Sequence, residues 1–255
     1  MQRIGESGFV AISIDLGNLQ RQSKAETEAT VRLLLALQRH GVPATWAIAD
    51  PGDCDLSDEI LNTNCDHEIA ILGDHTWVGR RAGRTRFARE LTGRVEKARA
   101  AGIPVSTLAV RDARLDQHLD LLVKHRISVV RDAKSDVSQA IGVRPRSLRY
   151  GVLQAPATYQ LPAANRWWQS TPVGVARKAI QRASVSNEIA HVVFDMERIA
   201  TGGGSAQRCV EQVLQFVSRR ASQTSLVAVS LRRLAEIYSP QRQITQSRSI
   251  LRAAA

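Results

Sequence analysis

The sequence predicts an α/β fold, a single distorted (β/α)7–8 barrel that is closed or nearly closed. Three observations predict it. Short apolar runs alternate with helical runs about seven times, the pattern of parallel strands joined by crossover helices. Two of the helical runs stop at a glycine with proline close behind, at Gly41 with Pro43 and at Gly102 with Pro104. That punctuation ends a helix and releases the chain into an extended segment. The chain has 255 residues, within the range of one barrel, and shows neither an internal repeat nor a second domain. Residues 1–8 read as an N-terminal arm, 9–239 as the barrel and 240–255 as a basic tail.

The first strand is Phe9 to Ile14, a compact apolar run bounded by Gly8 and Asp15, as expected of a strand covered on both faces. A helix follows from Glu26 to His40, with Val31, Leu34 and Leu35 on a broad apolar face. Ala44–Ile48 and His67–Leu72 are the next strands. Thr85 to Ala101 is helical, because Phe87, Leu91 and Val95 recur at spacing four. Val105–Val110 is a strand, Leu115–His125 a helix and Ile127–Val130 a strand. Between Pro145 and Glu188 the pattern is weakest, with Ser147–Leu153 read as a strand. His191–Phe194 is a strand, Gly202–Gly203–Gly204 a turn and Ala206–Ala221 a helix. Leu226–Val229 and the helix Leu231–Tyr238 complete the barrel.

Composition narrows the function classes. Hydrophobic residues make up 44% of the chain, enough for a sizeable core. No run approaches the roughly 18 apolar residues of a membrane span, and the first residues lack a basic-then-apolar leader. A cytoplasmic, membrane-free protein is the expectation. Cys54, Cys65 and Cys209 form no CxxC pair and read as reduced structural thiols. The net charge is +11, but the arginines are scattered over many helices without a nucleic-acid-binding signature. They read as solvated faces rather than a nucleic-acid surface.

In such barrels the working groups stand at the C-terminal ends of the strands. Those ends offer Asp15, Asp50, Asp74 with His75, Arg111 with Asp112, Arg131 with Asp132, and Asp195 with Glu197. Taken singly, each reads as a solvated loop residue. Together they describe a charged rim for a polar ligand. Trp46, Trp77 and the pair Trp167–Trp168 offer aromatic faces to a sugar ring, or else core packing. His67 and His191 begin their strands and read as structural, while His40, His118 and His125 read as surface or helix-end groups.

Several segments resemble the polysaccharide deacetylases (NodB-homology domain, carbohydrate esterase family 4). Phe9–Gly17, FVAISIDLG, looks like that family's first motif, a strand ending in Thr-Phe-Asp-Asp-Gly. Leu34–Ile48 is similar to the helix, turn and strand that follow. Asp66–Trp77, DHEIAILGDHTW, resembles the family's Gly-His-Glu-Ile segment. Ala100–Arg111 and His191–Ala200 resemble the strands of the third and late motifs. The resemblance implies a deacetylase-type barrel that hydrolyses C–N amide bonds in N-acetylated sugars with a divalent metal such as zinc. It implies that Asp15 is the general base, that Asp195 stands at the general-acid position, and that Arg111 is the third-motif arginine.

The departures imply altered chemistry. Leu16 replaces the metal-binding Asp. Leu72 and Thr76, or on a shifted alignment His75 and Gly79, stand for the two metal-binding His, and Asp112 replaces a proline. A tight divalent site needs about three protein ligands, so no cofactor is expected unless Asp15, His75 and Asp195 form a replacement metal site. The expected function is therefore a deacetylase-like protein with impaired or altered activity, with Asp15 and Asp195 as catalytic candidates. Arg111, Trp77 and Trp46 are the substrate-binding candidates and a saccharide is the ligand. The alternative is a non-catalytic barrel that binds a saccharide or a protein.

Overall fold

The computed structural model describes residues 8–17, 23–79, 82–111, 115, 117–133, 145–161, 172–186, 188–223 and 226–238. Residues 1–7 of the arm, the tail 240–255, Asp112 and Trp167–Trp168 lie outside the described residues. The strands are β1 (Phe9–Leu16), β2 (Thr45–Ile48), β3 (Glu68–Gly73), β4 (Thr107–Arg111) and β5 (Val129–Ala133). They continue with β6 (Arg146–Ser147), β7 (Leu153–Gln154), β8 (Tyr159–Leu161), β9 (Ile189–Asp195) and β10 (Val227–Val229). The helices are α1 (Lys24–His40), α2 (Ser57–Leu61), α3 (Arg84–Ala100) and α4 (Leu119–Lys124). After them come α5 (Pro172–Ser186), α6 (Met196–Thr201), α7 (Gly203–Gln223) and α8 (Leu231–Tyr238).

The strands form one sheet in the order β6-β7-β5-β4-β3-β2-β1-β9-β8, with β10 beside the first half of β1. All pairings are parallel except β6 with β7. The sheet curls into a half-barrel, and one bond shows how far. Arg131 of β5 reaches Asp15 of β1 at 2.5 Å, although three strands lie between them. In a flat sheet, four strand spacings would separate the two backbones by roughly 19 Å. The chain at 155–158 bridges the seam. Ala155 N donates to Val130 O at 2.8 Å, and Thr158 N donates to His191 O at 2.8 Å.

Strand periodicity sorts the side chains into two cores. Val10, Ile12, Ile14 and Leu16 of β1 face outward and pack with Trp46, Phe194 and the apolar stripes of α1, α5 and α7. Phe9 and Ala11 face inward with Val129, Leu153 and Ile189, and α8 closes that end with Leu231 and Leu234. Ala47, Ala70 and Ala109 line the middle of the barrel with Leu72. Those three small side chains leave room for the long arm of Arg131. Helix α1 is fixed at both ends. Ser23 and Glu26 form a capping box, with Ser23 N donating to Glu26 Oε2 at 2.7 Å, and Gly41 closes the helix at φ +62°.

Several elements differ from the sequence reading: the helix read at Leu115–His125 is the shorter α4, and α2 and β8 have no counterpart in it. Ser147–Leu153 is not one strand. It is a small hairpin, β6 and β7 around a turn in which Tyr150 and Gly151 both take positive φ. Helix α5 occupies part of the region without a clear pattern. The late strand stops at Asp195, whose side chain caps α6 by accepting from Arg198 N at 3.3 Å.

Gly52 marks a close approach of the β2–α2 connection to α3. A Cβ at this position would lie 2.6 Å from the carbonyl carbon of Lys97, and helical backbone cannot give way. Gly52→Ala is expected to destabilise the fold by about 1–3 kcal/mol, read as a shift in the urea midpoint. An unchanged midpoint would show that the two segments are not in contact.

Candidate functional site

The inward face of the barrel is graded from apolar to charged. At the N-terminal end, Glu68 is sealed among hydroxyl and amide donors. Thr45 Oγ1 donates to it at 3.0 Å and Arg232 N at 2.8 Å, and Thr107 Oγ1 donates as well. Burial pushes its carboxyl above the usual range, against these bonds. At the C-terminal end, Asp15 and Asp195 are register partners on adjacent strands and face the same pocket of about 280 Å³. Arg111 of β4 and Gln160 of β8 also line it, and Glu197, Arg198 and Thr201 of α6 complete the wall.

Asp15 has no solvent exposure and neither does Arg131. Arg131 Nη1 donates to Asp15 Oδ1 at 2.5 Å. Arg111 Nε lies 3.8 Å from Asp15 Oδ2 and Arg111 Nη1 lies 3.8 Å from Glu197 Oε2, so both are ion pairs without hydrogen bonds. Asp195 accepts from Gln160 Nε2 at 3.4 Å and sits 3.5 Å from Arg198 Nε. Burial pushes Asp195 above the ordinary carboxylate range, while nearby Arg111 pulls it back. The two carboxylates therefore differ in surroundings: one is locked to a guanidinium, the other is held by a cap and an amide.

Directly beneath lies a neutral pair. His191 Nε2 is 2.6 Å from Ser13 Oγ, and His191 Nδ1 is 3.2 Å from Pro156 O. Burial, with Arg131 adding to it, lowers the His191 pKa to about 3. A histidine depressed in the folded state binds its proton more readily when unfolded. Its stabilising contribution is complete above the ordinary value near 6.5 and is lost as pH falls through the window from 6.5 to about 3. His67, lowered to about 4 by burial, acts in the same direction. The two histidines together are expected to lower stability by about 3 kcal/mol between pH 6.5 and 5, and His191→Gln should roughly halve the slope in urea titrations. A wild-type slope of zero there would contradict the burial of His191.

The structure brings together Asp15, Arg111 and Asp195 from the sequence-predicted set. It corrects the aromatic candidates. Trp46 has no exposure and points outward from β2 into the outer core, because its neighbour Ala47 takes the inward position. Trp77 is 3% exposed, stacked near Phe87 and covered by the Arg94 guanidinium at 4.8 Å. Neither ring can reach a sugar. His75 is exposed on the turn after β3 and does not line the pocket, so the replacement site of Asp15, His75 and Asp195 does not assemble. Leu72 packs in the alanine layer, and Asp74 Oδ1 is occupied by Thr76 N at 2.8 Å. Asp50 pairs with Lys97 at 2.9 Å.

Sequence reasoning did not give the site Gln160, Arg198 or the His191–Ser13 pair, and it did not single out Arg131 as the partner of Asp15. The signal for Arg131 was present: a charged residue directly after the apolar pair Val129–Val130, at an inward position of β5. A divalent metal does not fit this donor set. Leu16 belongs to the outer core with no exposure. The carboxylate beside it is already bonded to one arginine and faces another. Among the described residues no three His, Cys, Asp or Glu side chains converge. No described helix is long and apolar enough to cross a membrane.

No family model and no curated protein matches the sequence. Solved structures do match. A protein assigned as a polysaccharide deacetylase from Mycobacterium smegmatis superposes with a TM-score of 0.67 at 15% identity, over 93% of this chain and 92% of that one. A peptidoglycan deacetylase from Bacillus subtilis superposes with a TM-score of 0.53 at 10% identity, over 95% and 96%. A family 4 acetyl xylan esterase from Clostridium thermocellum, solved with cobalt, gives 0.51 at 14%, over 89% of each chain. These likenesses and the curled parallel sheet give one conclusion: the chain has the deacetylase-type (β/α) barrel fold.

Proposed function

We propose that the protein binds a saccharide in the Asp15–Arg111–Asp195 pocket and that metal-assisted amide hydrolysis is impaired in it. The observation that carries this reading is the Asp15–Arg131 bond. It places a fixed guanidinium against the carboxylate that the family resemblance would give to a general base beside a metal. The ligand class is supported by the fold relatives, whose names refer to polysaccharide, peptidoglycan and acetyl xylan, and by a pocket wall rich in hydrogen-bonding groups. A metal acts in such hydrolysis by polarising the carbonyl and acidifying bound water. Without a donor set for it, several kcal/mol of transition-state stabilisation are missing.

A second reading, amide hydrolysis by altered chemistry, is favoured by one observation. Asp195, held toward its acid form by burial, stands in register with Asp15, where it could protonate a leaving amine. One experiment separates the two. Protein purified without chelator is expected to carry less than about a tenth of an equivalent of zinc, cobalt, nickel or manganese, well short of the full ion a three-ligand site retains. It is also expected to bind acetylated chitooligosaccharides in calorimetry without releasing acetate. Acetate release without metal would establish the second reading, and stoichiometric metal with release would overturn both.

A further inference from the structure

The pocket's cations are incompletely used by the protein itself. Arg111 is a quarter exposed at the pocket, and its ion pairs with Asp15 and Glu197 are both 3.8 Å long. Its Nε and Nη2 have no hydrogen-bond partner. Arg131, fully buried behind it, uses Nη1 on Asp15 and leaves Nε and Nη2 without a partner. Buried donors in that condition are rare. Guanidinium groups find their best partner in a planar oxyanion, which accepts two parallel N–H bonds. Arg198, half exposed on α6, also lines the pocket.

The acidic groups do not cancel this field. Asp15 is matched by Arg131 at 2.5 Å. Glu197 is 69% exposed, so solvent and salt screen it. Asp195 is taken up by Arg198 Nε at 3.5 Å and by Gln160 Nε2 at 3.4 Å. What remains is about one positive charge, centred on Arg111, in a recess with low-dielectric walls that strengthens the field.

We infer that the pocket selects a singly charged oxyanion, the carboxylate of an acidic saccharide, held between Arg111 and Arg198. This rests on the saccharide reading above and adds the charge of the ligand to it. A carboxylate between the two guanidinium groups takes up the donors of Arg111 that the protein leaves without partners. Gln160 and Asp195 then face the neighbouring hydroxyl groups.

The test is calorimetric titration of the full chain with glucuronate, glucose, N-acetylglucosamine and acetate at two salt concentrations. Glucuronate is expected to bind about tenfold tighter than either neutral sugar, an advantage of one charge-assisted contact, and to weaken with salt. Arg111→Gln should abolish the advantage. Arg198→Gln, at an exposed position where folding is not at risk, should reduce it. Equal affinity for glucuronate and glucose would overturn the charge inference and leave saccharide binding standing. Acetate binding as tightly as glucuronate would keep the oxyanion preference and remove the saccharide. Absence of any binding would overturn both.

Discussion

Replacing Arg131 with methionine is expected to cost the fold about 3–5 kcal/mol, the usual penalty for removing one partner of a buried ion pair. Asp15 has no exposure, and Arg131 Nη1 is its hydrogen-bond donor. Without that donor the carboxylate is left in the barrel interior, above the Ser13–His191 pair. The midpoint of thermal unfolding should drop on the order of 10 °C for a domain of this size. The double variant Asp15→Leu with Arg131→Met should recover most of the loss, because apolar groups of similar volume often replace a buried pair without cost. That recovery separates loss of the pair from simple loss of packing. If Arg131→Met unfolds at the wild-type temperature, the two side chains are not joined and the account of the site fails with them.

The parts of this fold legible in the sequence are those whose periodicity is local. Strand β1 shows as an apolar run, α3 as Phe87, Leu91 and Val95 at spacing four, and α1 as a helix ending at Gly41. What stayed hidden depends on contacts across the chain. Helix α5 carries its buried Val173, Ala176, Ile180 and Ala183 at helical spacing, but small and polar residues dilute the signal. Helix α6 is six residues long and is set by the Asp195 cap rather than by an apolar stripe. At the site, Asp15 and Asp195 could be found because both follow apolar strands. Their pairing could not, since register between strands 180 residues apart is written in no local pattern. The Trp error has the same root. An aromatic residue near a strand end looks available until strand parity is known, and parity turns Trp46 into the outer core.

Leu16→Asp is the substitution with the largest expected effect, and it tests parity directly. In sequence it recreates the paired aspartates of the deacetylase first motif. On this backbone Asp15 points inward, so position 16 points outward, among Ile12, Ile14, Trp46 and Phe194. The substitution removes the burial of a leucine, about 2–3 kcal/mol, and forces a carboxyl group into the apolar outer core. Such a group becomes neutral or unfolds its surroundings. The combined loss is expected to reach roughly 5 kcal/mol, in the range reserved for buried unpaired charge. Added zinc or cobalt should not restore the melting temperature, because the new carboxyl group and Asp15 lie on opposite faces of the strand. A variant that melts at the wild-type temperature and retains one equivalent of metal would mean that the end of β1 turns position 16 into the barrel.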